Sequence, residues 1–382
     1  MTALSSVGGS RFLQRGQFAR WTSVLGLAWG LSLVPLPAVA ANIPMGVVFA
    51  GEKVVGTLPL ANTGAQAVFF VAAASDCPCL TVQAEPAVVA ARQSQELAFT
   101  YLSQNTGRFV VQVDLQGAEP GKVLASHSVT GIVAARSWVI RAPELLAKAG
   151  AIDPVVVDLR SAEKFDKARL PRSLNLQPFA LKSHKEWKSR TLVLVDEGHA
   201  PAELMAQVAA LRTAGFGDVR ALEGGIAAWV RQGGSVEGVE DHAVEVAQIT
   251  PVEFTRSQRN GRWRVVEVAG RDSVSAAVPG AEMVDRWPDL DALLGHLIPS
   301  PAGALPQRTL VIAPDLETYA HIEKRFGAFD TTGLFYLRGG REALLQFRAL
   351  QTATAVGPAP TASTQTRGAA PSGRGGCGVC PH

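Results

Sequence analysis

Thr191-Leu192-Val193-Leu194-Val195-Asp196-Glu197-Gly198-His199-Ala200-Pro201 is the stretch on which the reading of this chain turns. Its first five residues form a continuous apolar run, as expected of a strand buried on both faces. A polar loop follows. From Pro201 to Gly215, Leu204, Val208 and Leu211 recur at helical spacing, and Gly215 stands just past the end as a cap. Val155-Val156-Val157-Asp158-Leu159 is a second apolar run upstream, and Val219-Arg220-Ala221-Leu222 reads as a further strand downstream, leading into Gly224-Gly225-Ile226-Ala227-Ala228-Trp229. Strands alternating with helices predict a parallel sheet covered by helices.

Three motifs in this block, residues 139–238, resemble the rhodanese family. Asp158-Leu159-Arg160-x-x-Glu163-x-Phe165 is similar to its D-x-R-x-x-x-E-aromatic region, with Glu163 one residue early. Ala168-Arg169-Leu170-Pro171-Arg172-Ser173-Leu174-Asn175 resembles its G-H-I-P-G-A-x-N signature, with three positions altered. Leu222-Glu223-Gly224-Gly225-Ile226-Ala227-Ala228-Trp229 matches its closing motif unchanged. The resemblance implies a sulfurtransferase fold in which a cysteine follows the strand ending at Val195 and carries sulfur as a persulfide. Here Asp196 holds that position, and a carboxylate cannot form a persulfide. Pro201 has no N–H and removes one donor from the anion cradle. The expectation is a degenerate loop, Asp196-Glu197-Gly198-His199-Ala200-Pro201, without rhodanese turnover. Asp196 and His199 could pair within it; with no serine nearby, the favoured reading has Asp196 capping the next helix and His199 on the surface.

Residues 246–349 read as a second, more degenerate rhodanese-like copy, offset by about 115–118 residues. Val265-Val266-Glu267-Val268 replaces the strand carrying Asp158, and Val278-Pro279-Gly280-Ala281 retains the P-G-A element. Thr309-Leu310-Val311-Ile312-Ala313 lines up with Thr191–Val195 and places Pro314 at the cysteine position.

Residues 42–136 read as all-β. Val68–Val71, Glu96–Tyr101 and Phe109–Leu115 are short apolar or alternating runs, separated by the turn signals Asn62-Thr63-Gly64, Asn105-Thr106-Gly107 and Pro120-Gly121. The N-T-G turn followed by Cys77-Pro78-Cys79 resembles a bacterial Ig-like family of unassigned function with an N-T-G…C-x-C signature, which implies a β-sandwich and no activity. The fold class is thus multidomain: an Ig-like sandwich, two α/β rhodanese-like domains, and a tail.

Residues 1–40 read as a signal peptide. Arg11, Arg15 and Arg20 precede the apolar run Val24–Leu31, and Ala38-Val39-Ala40 offers a cleavage site before Ala41. Removing three arginines takes the formal charge of +3 to about zero, which points away from nucleic-acid partners. No later segment is long and apolar enough to span a membrane, so the expected location is periplasmic or secreted. Residues 350–382, rich in Pro, Ala, Ser, Thr and Gly, read as a disordered tail ending in Cys377-Gly378-Val379-Cys380-Pro381-His382.

All four cysteines lie outside the rhodanese-like blocks. Structural disulfides are the ordinary expectation for an exported chain, yet within-pair loops of one and two residues are poor staples. Close pairs suit thiol–disulfide exchange or a sulfane-sulfur relay, with Cys377, Cys380, Cys77 and Cys79 as the working thiols and an exported partner, reductant or oxidant as the other party. Soft-metal binding is the alternative: Cu(I) or zinc on Cys377 and Cys380, with His382 as a nitrogen ligand. No motif for an organic cofactor is present. A non-catalytic scaffold is the rival reading.

Overall fold

The computed structural model describes residues 40–83, 85–148, 154–238, 243–258, 261, 263–268, 276–284, 308–326 and 333–355. Residues 1–39 of the predicted signal peptide and the terminal Cys377, Cys380 and His382 lie outside them.

The N-terminal region is a two-sheet sandwich of eight strands, β1 (Ala41–Phe49), β2 (Val54–Ala61), β3 (Val68–Ser75), β4 (Leu80–Gln83), β5 (Ala87–Val89), β6 (Ser94–Tyr101), β7 (Gly107–Gly117) and β8 (Val123–Ala134). One sheet runs β1-β8-β7-β3-β5 and faces the sheet β2-β6-β4. Alternation along β7 turns Val111, Val113 and Leu115 inward, where they meet Leu58, Leu60, Leu97 and Phe99 of the other sheet. The N-T-G turn serves this architecture. Buried Asn62 donates from Nδ2 to the carbonyls of Gln66, Val89 and Ala90 at 2.8, 2.9 and 3.0 Å, and its Oδ1 accepts from the Gly64 N–H. One amide thereby satisfies three carbonyls from two segments.

The α/β block that follows contains β9 (Val139–Ile140), α1 (Ala142–Leu146), β10 (Val155–Asp158), α2 (Ala162–Lys167), β11 (Ala168–Arg169), β12 (Leu174–Asn175), α3 (Pro178–Leu181), β13 (Thr191–Val195), α4 (Pro201–Thr213), β14 (Asp218–Leu222), α5 (Gly225–Arg231) and β15 (Glu237–Gly238). Its sheet runs β12-β10-β13-β14-β9 with every pairing parallel. The central β13 is buried from Leu192 to Val195, as its unbroken apolar run requires. Two quoted motifs turn out to be clamps. Arg160 makes a bidentate ion pair with fully buried Asp158, with Nη2 2.7 Å and Nε 3.0 Å from the carboxylate. Asn175 Nδ2 donates to the carbonyls of both residues.

Helix α4 is apolar nearly all round, a pattern that requires cover on more than one side. Leu204, Met205, Val208 and Leu211 share one core with Val157, Leu192 and Leu194 of the sheet and with Phe49, Ile132 and Ala134 of the sandwich. The two regions are thus joined through a common core.

The last block contains α6 (Ala243–Val246), β16 (Gln248–Ile249), α7 (Pro251–Ser257), β17 (Trp263–Val268), β18 (Glu282–Val284), β19 (Arg308–Ile312), α8 (Leu316–Phe326), β20 (Leu334–Leu337) and α9 (Gly340–Ala355). Its parallel sheet runs β16-β20-β19-β17-β18. Counted from β16, this is the order of the preceding sheet counted from β9. A buried ion pair joins the two blocks: Arg231 Nε and Nη2 reach the Glu323 carboxylate at 2.9 and 3.0 Å, and Tyr336 Oη donates to it at 2.7 Å.

One boundary is corrected. Residues 350–355, expected to belong to the tail, are helical, because α9 carries Gln351, Thr352 and Ala353 on to Ala355; the rest of the expected tail lies outside the described residues. Alanine is the best helix former, and no Gly or Pro interrupts before Gly357-Pro358.

Candidate functional site: the loop after β13

The loop 196–200 leaves the carboxyl end of the central strand, where ligand sites of open parallel sheets gather. Its shape is set by its own hydrogen bonds and by two glycines. Asp196 Oδ1 accepts the Gly198 N–H at 2.8 Å, and the Asp196 carbonyl accepts the Ile226 N–H at 3.0 Å. Gly198 has φ +89°, and a Cβ there would stand 2.3 Å from the Gly224 carbonyl oxygen. Gly225 has φ +60°, and its Cβ would stand 2.3 Å from the Asp196 carbonyl oxygen. Only glycine fits either place, so the Gly224-Gly225 pair has a packing role against the loop that Asp196 opens.

Asp196 does not cap α4, contrary to the sequence expectation. The N-cap is Ala200, without a side-chain cap bond, and Pro201 opens the helix with its preset φ. The Asp196 carboxylate turns back onto its own loop instead. Burial, helped by the neighbouring Glu197 charge, pushes it up to about 7. The surface placement expected for His199 is also corrected. Its ring is buried, 9% exposed, because α7 and β19 of the last block close over it, and neither ring nitrogen has a hydrogen-bond partner. No Asp196–His199 pair forms.

His199 has acidic neighbours of a different kind. Glu197 Oε1 lies 2.8 Å from Lys164 Nζ, and the same ammonium contacts Glu253 Oε1. Glu253 comes from the first turn of α7, where it forms a capping box: its Oε2 accepts the Thr250 N–H at 2.8 Å while Thr250 Oγ1 accepts the Glu253 N–H. Burial alone would raise both glutamates. Lys164 outweighs it, lowering Glu197 and, together with the Thr250 N–H, holding Glu253 at about 2. Burial lowers the His199 pKa and favours the neutral ring. Glu197, His199 and Glu253 have ligating atoms within 4.8 Å of one another, the one such group among the described residues. They border a cavity of about 270 Å³ that Asp196, Gln207 and Arg256 also line.

Cys77 and Cys79 form a disulfide in the turn between β3 and β4. Both residues are half-buried and pack against the sandwich core. Ser75 Oγ donates to the Cys77 carbonyl at 3.0 Å and holds the turn. Pro314 is exposed just beyond β19. Lys164 and Glu253 escaped the sequence reading. Thr250-Pro251-Val252-Glu253 is legible as a capping box, but nothing local brings its glutamate to Glu197.

Comparison with known proteins agrees with this architecture. Residues 141–232 match the rhodanese-like domain, and residues 39–120 match the HYDIN/CFA65/VesB-like Ig-like domain. The chain carries a rhodanese-like domain behind an Ig-like one. No curated protein matches. Among solved structures, a protein of Bacillus halodurans is 24% identical over 27% of this chain and 78% of its own, with a TM-score of 0.25. A rhodanese-related protein from Thermoplasma volcanium is 21% identical over 27% of this chain and 98% of its own, with a TM-score of 0.23. A thiosulfate sulfurtransferase from Pseudomonas aeruginosa is 19% identical over 55% of this chain and 42% of its own, with a TM-score of 0.24.

Proposed function

We propose that this is an exported protein with a rhodanese-like domain that does not turn over at the β13 loop, and that its sulfur or redox chemistry is carried by Cys77/Cys79 and the tail pair Cys377/Cys380. The carrying observation is the Asp196 carboxylate at the end of β13, holding the Gly198 N–H at 2.8 Å. An active loop would aim such a donor at a sulfur anion; here an internal acceptor takes it, and Glu197 makes the surroundings acidic. Residues 246–349 are a second, diverged copy of the same domain, a reading supported by the repeated strand order.

The chemistry proposed for the cysteines is exchange. A Cys377 thiolate attacks one sulfur of the Cys77–Cys79 disulfide, forming a mixed disulfide and releasing the other sulfur as a thiolate. Cys380 then displaces the remaining sandwich sulfur, leaving the tail oxidised and the Cys77/Cys79 pair reduced with no net change in electrons. A scaffold role is the second reading, favoured by the core shared between sandwich and α4.

Two experiments test this. Rapid thiol blocking and mass spectrometry of protein from the exported fraction should find the bridges distributed between Cys77–Cys79, Cys377–Cys380 and cross-pair species. A single, reductant-resistant pattern would leave the scaffold reading. Thiosulfate:cyanide sulfurtransferase assays should show no turnover in the wild type. Wild-type turnover that is lost in Asp196→Ala would refute the assignment of this loop as inactive.

A further inference from the structure

We propose that Glu197, His199 and Glu253 form a binding site for a divalent transition-metal ion of the Zn²⁺ class at the seam between the two α/β blocks. Two independent observations converge there. The first is chemical: an imidazole and two carboxylates, with ligating atoms within 4.8 Å of one another, are a nitrogen–oxygen donor set that suits zinc. An ion bound at about 2.0–2.2 Å from each atom would draw them to roughly 3.3 Å apart, a contraction that side-chain rotation can supply.

The second is the state of His199. Its ring is more than nine-tenths buried, borders the cavity, and has neither Nδ1 nor Nε2 hydrogen-bonded. Buried polar groups in native proteins are nearly always satisfied, and an orphan calls for a ligand, ion or water. His127 is a useful contrast. It too is buried with both nitrogens unpartnered, but it lies in the sandwich and belongs to no cluster of ligating side chains among the described residues.

Lys164 argues for the site and sets its selectivity. Its ammonium bridges Glu197 and Glu253, so the carboxylate pair already holds a cation. The lysine side chain is 28% exposed and long enough to withdraw into solvent. With the ring neutral and Lys164 in place, the four side chains carry a net single negative charge; once the ammonium withdraws, a divalent ion balances the two carboxylates and the ion with its three ligands is neutral. Two ligands come from the β13 loop and one from α7, so a bound ion would tie the blocks together. Three protein ligands leave a fourth position for water or a small anion from the cavity.

The test uses full-length protein carrying Cys377→Ser and Cys380→Ser, which removes the competing tail thiols while Cys77–Cys79 stays oxidised. After chelator treatment, Zn²⁺ is titrated calorimetrically and Co²⁺ by visible absorption. The expected result is one saturable site per chain and a Co²⁺ spectrum without thiolate charge-transfer bands. His199→Ala and Glu253→Gln should each weaken binding at least ~10-fold, the loss typical even of a metal ligand's supporting partners. Lys164→Met should strengthen it by a similar factor, since it removes the competing cation. A purely structural ion-pair network predicts the opposite for Lys164→Met: lower thermal stability and no Zn²⁺ binding. Absence of saturable binding in the tail variant, or binding indifferent to His199→Ala, overturns the proposal. Should His199→Ala fail to fold, the Lys164→Met titration decides.

Discussion

Arg231→Met tests whether the two α/β blocks are held by a buried charge. Arg231 and Glu323 side chains are 2% and 11% exposed and meet through two hydrogen bonds of 2.9 and 3.0 Å. Removing the guanidinium leaves the Glu323 carboxylate buried beside Tyr336 with no cation, and breaking one partner of such a pair costs about 3–5 kcal/mol. Replacing both charges, Arg231→Met with Glu323→Leu, removes the uncompensated ion and leaves the Tyr336 hydroxyl without its acceptor, worth about 1–3 kcal/mol. Adding Tyr336→Phe removes that residue of cost as well. The order of damage is therefore single, double, triple, from most to least, although the triple variant lacks the most hydrogen bonds. Native-state hydrogen exchange on peptides covering α5 and α8 reads this directly. At about 1.4 kcal/mol per tenfold, Arg231→Met should raise exchange roughly 100-fold to 4,000-fold, and the double variant at most about 150-fold. Equal damage in single and double variants, or a single variant within about 1 kcal/mol of wild type, would refute the reasoning.

Gly225→Ala should destabilise the first α/β block by about 2–4 kcal/mol, combining overpacking against the Asp196 carbonyl with a left-handed backbone; a melting temperature within 2 °C of wild type, roughly 1 kcal/mol or less, would contradict the packing assigned to the loop. Reducing Cys77–Cys79 should cost no more than about 1–2 kcal/mol, because the bridged residues are two positions apart. Thermal unfolding with and without reductant checks this, and a loss above about 3 kcal/mol would make the bridge a structural staple. Burial lowers the His127 pKa, against smaller opposing pulls from the Pro59 carbonyl and Glu96. The unfolded chain therefore binds the proton first, and this contribution to stability is complete above about pH 6.5 and is lost as pH falls toward the folded pKa. The slope is at most about 1.4 kcal/mol per pH unit. Guanidinium midpoints at pH 7 and pH 5 should converge in His127→Leu, and an unchanged slope would refute the assignment.

Much of the fold was legible because its signals are local. The apolar run Leu192–Val195 can only be buried on both faces, and β13 is. The recurrence of Leu204, Val208 and Leu211, closed by Gly215, marks α4, whose C-cap is Ala214. Alternation along β7 and the N-T-G turn mark the sandwich. That the residue following β13 is Asp196 and not a cysteine was legible too, from one position.

The chemistry of the loop was not. Asp196 and His199 read as a helix cap and a surface residue because their neighbours in sequence are polar and small. Burial is a property of what arrives from elsewhere: α7 and β19 close over the ring, and Glu253 reaches Lys164 across 89 residues of sequence. Sequence periodicity by itself determined the strands and the helices, because backbone propensity and side-chain alternation act within a few residues. Only the tertiary structure decided that Glu197, His199 and Glu253 share one site and that α4 serves two domains, because electrostatics and packing act through space and make no reference to chain order.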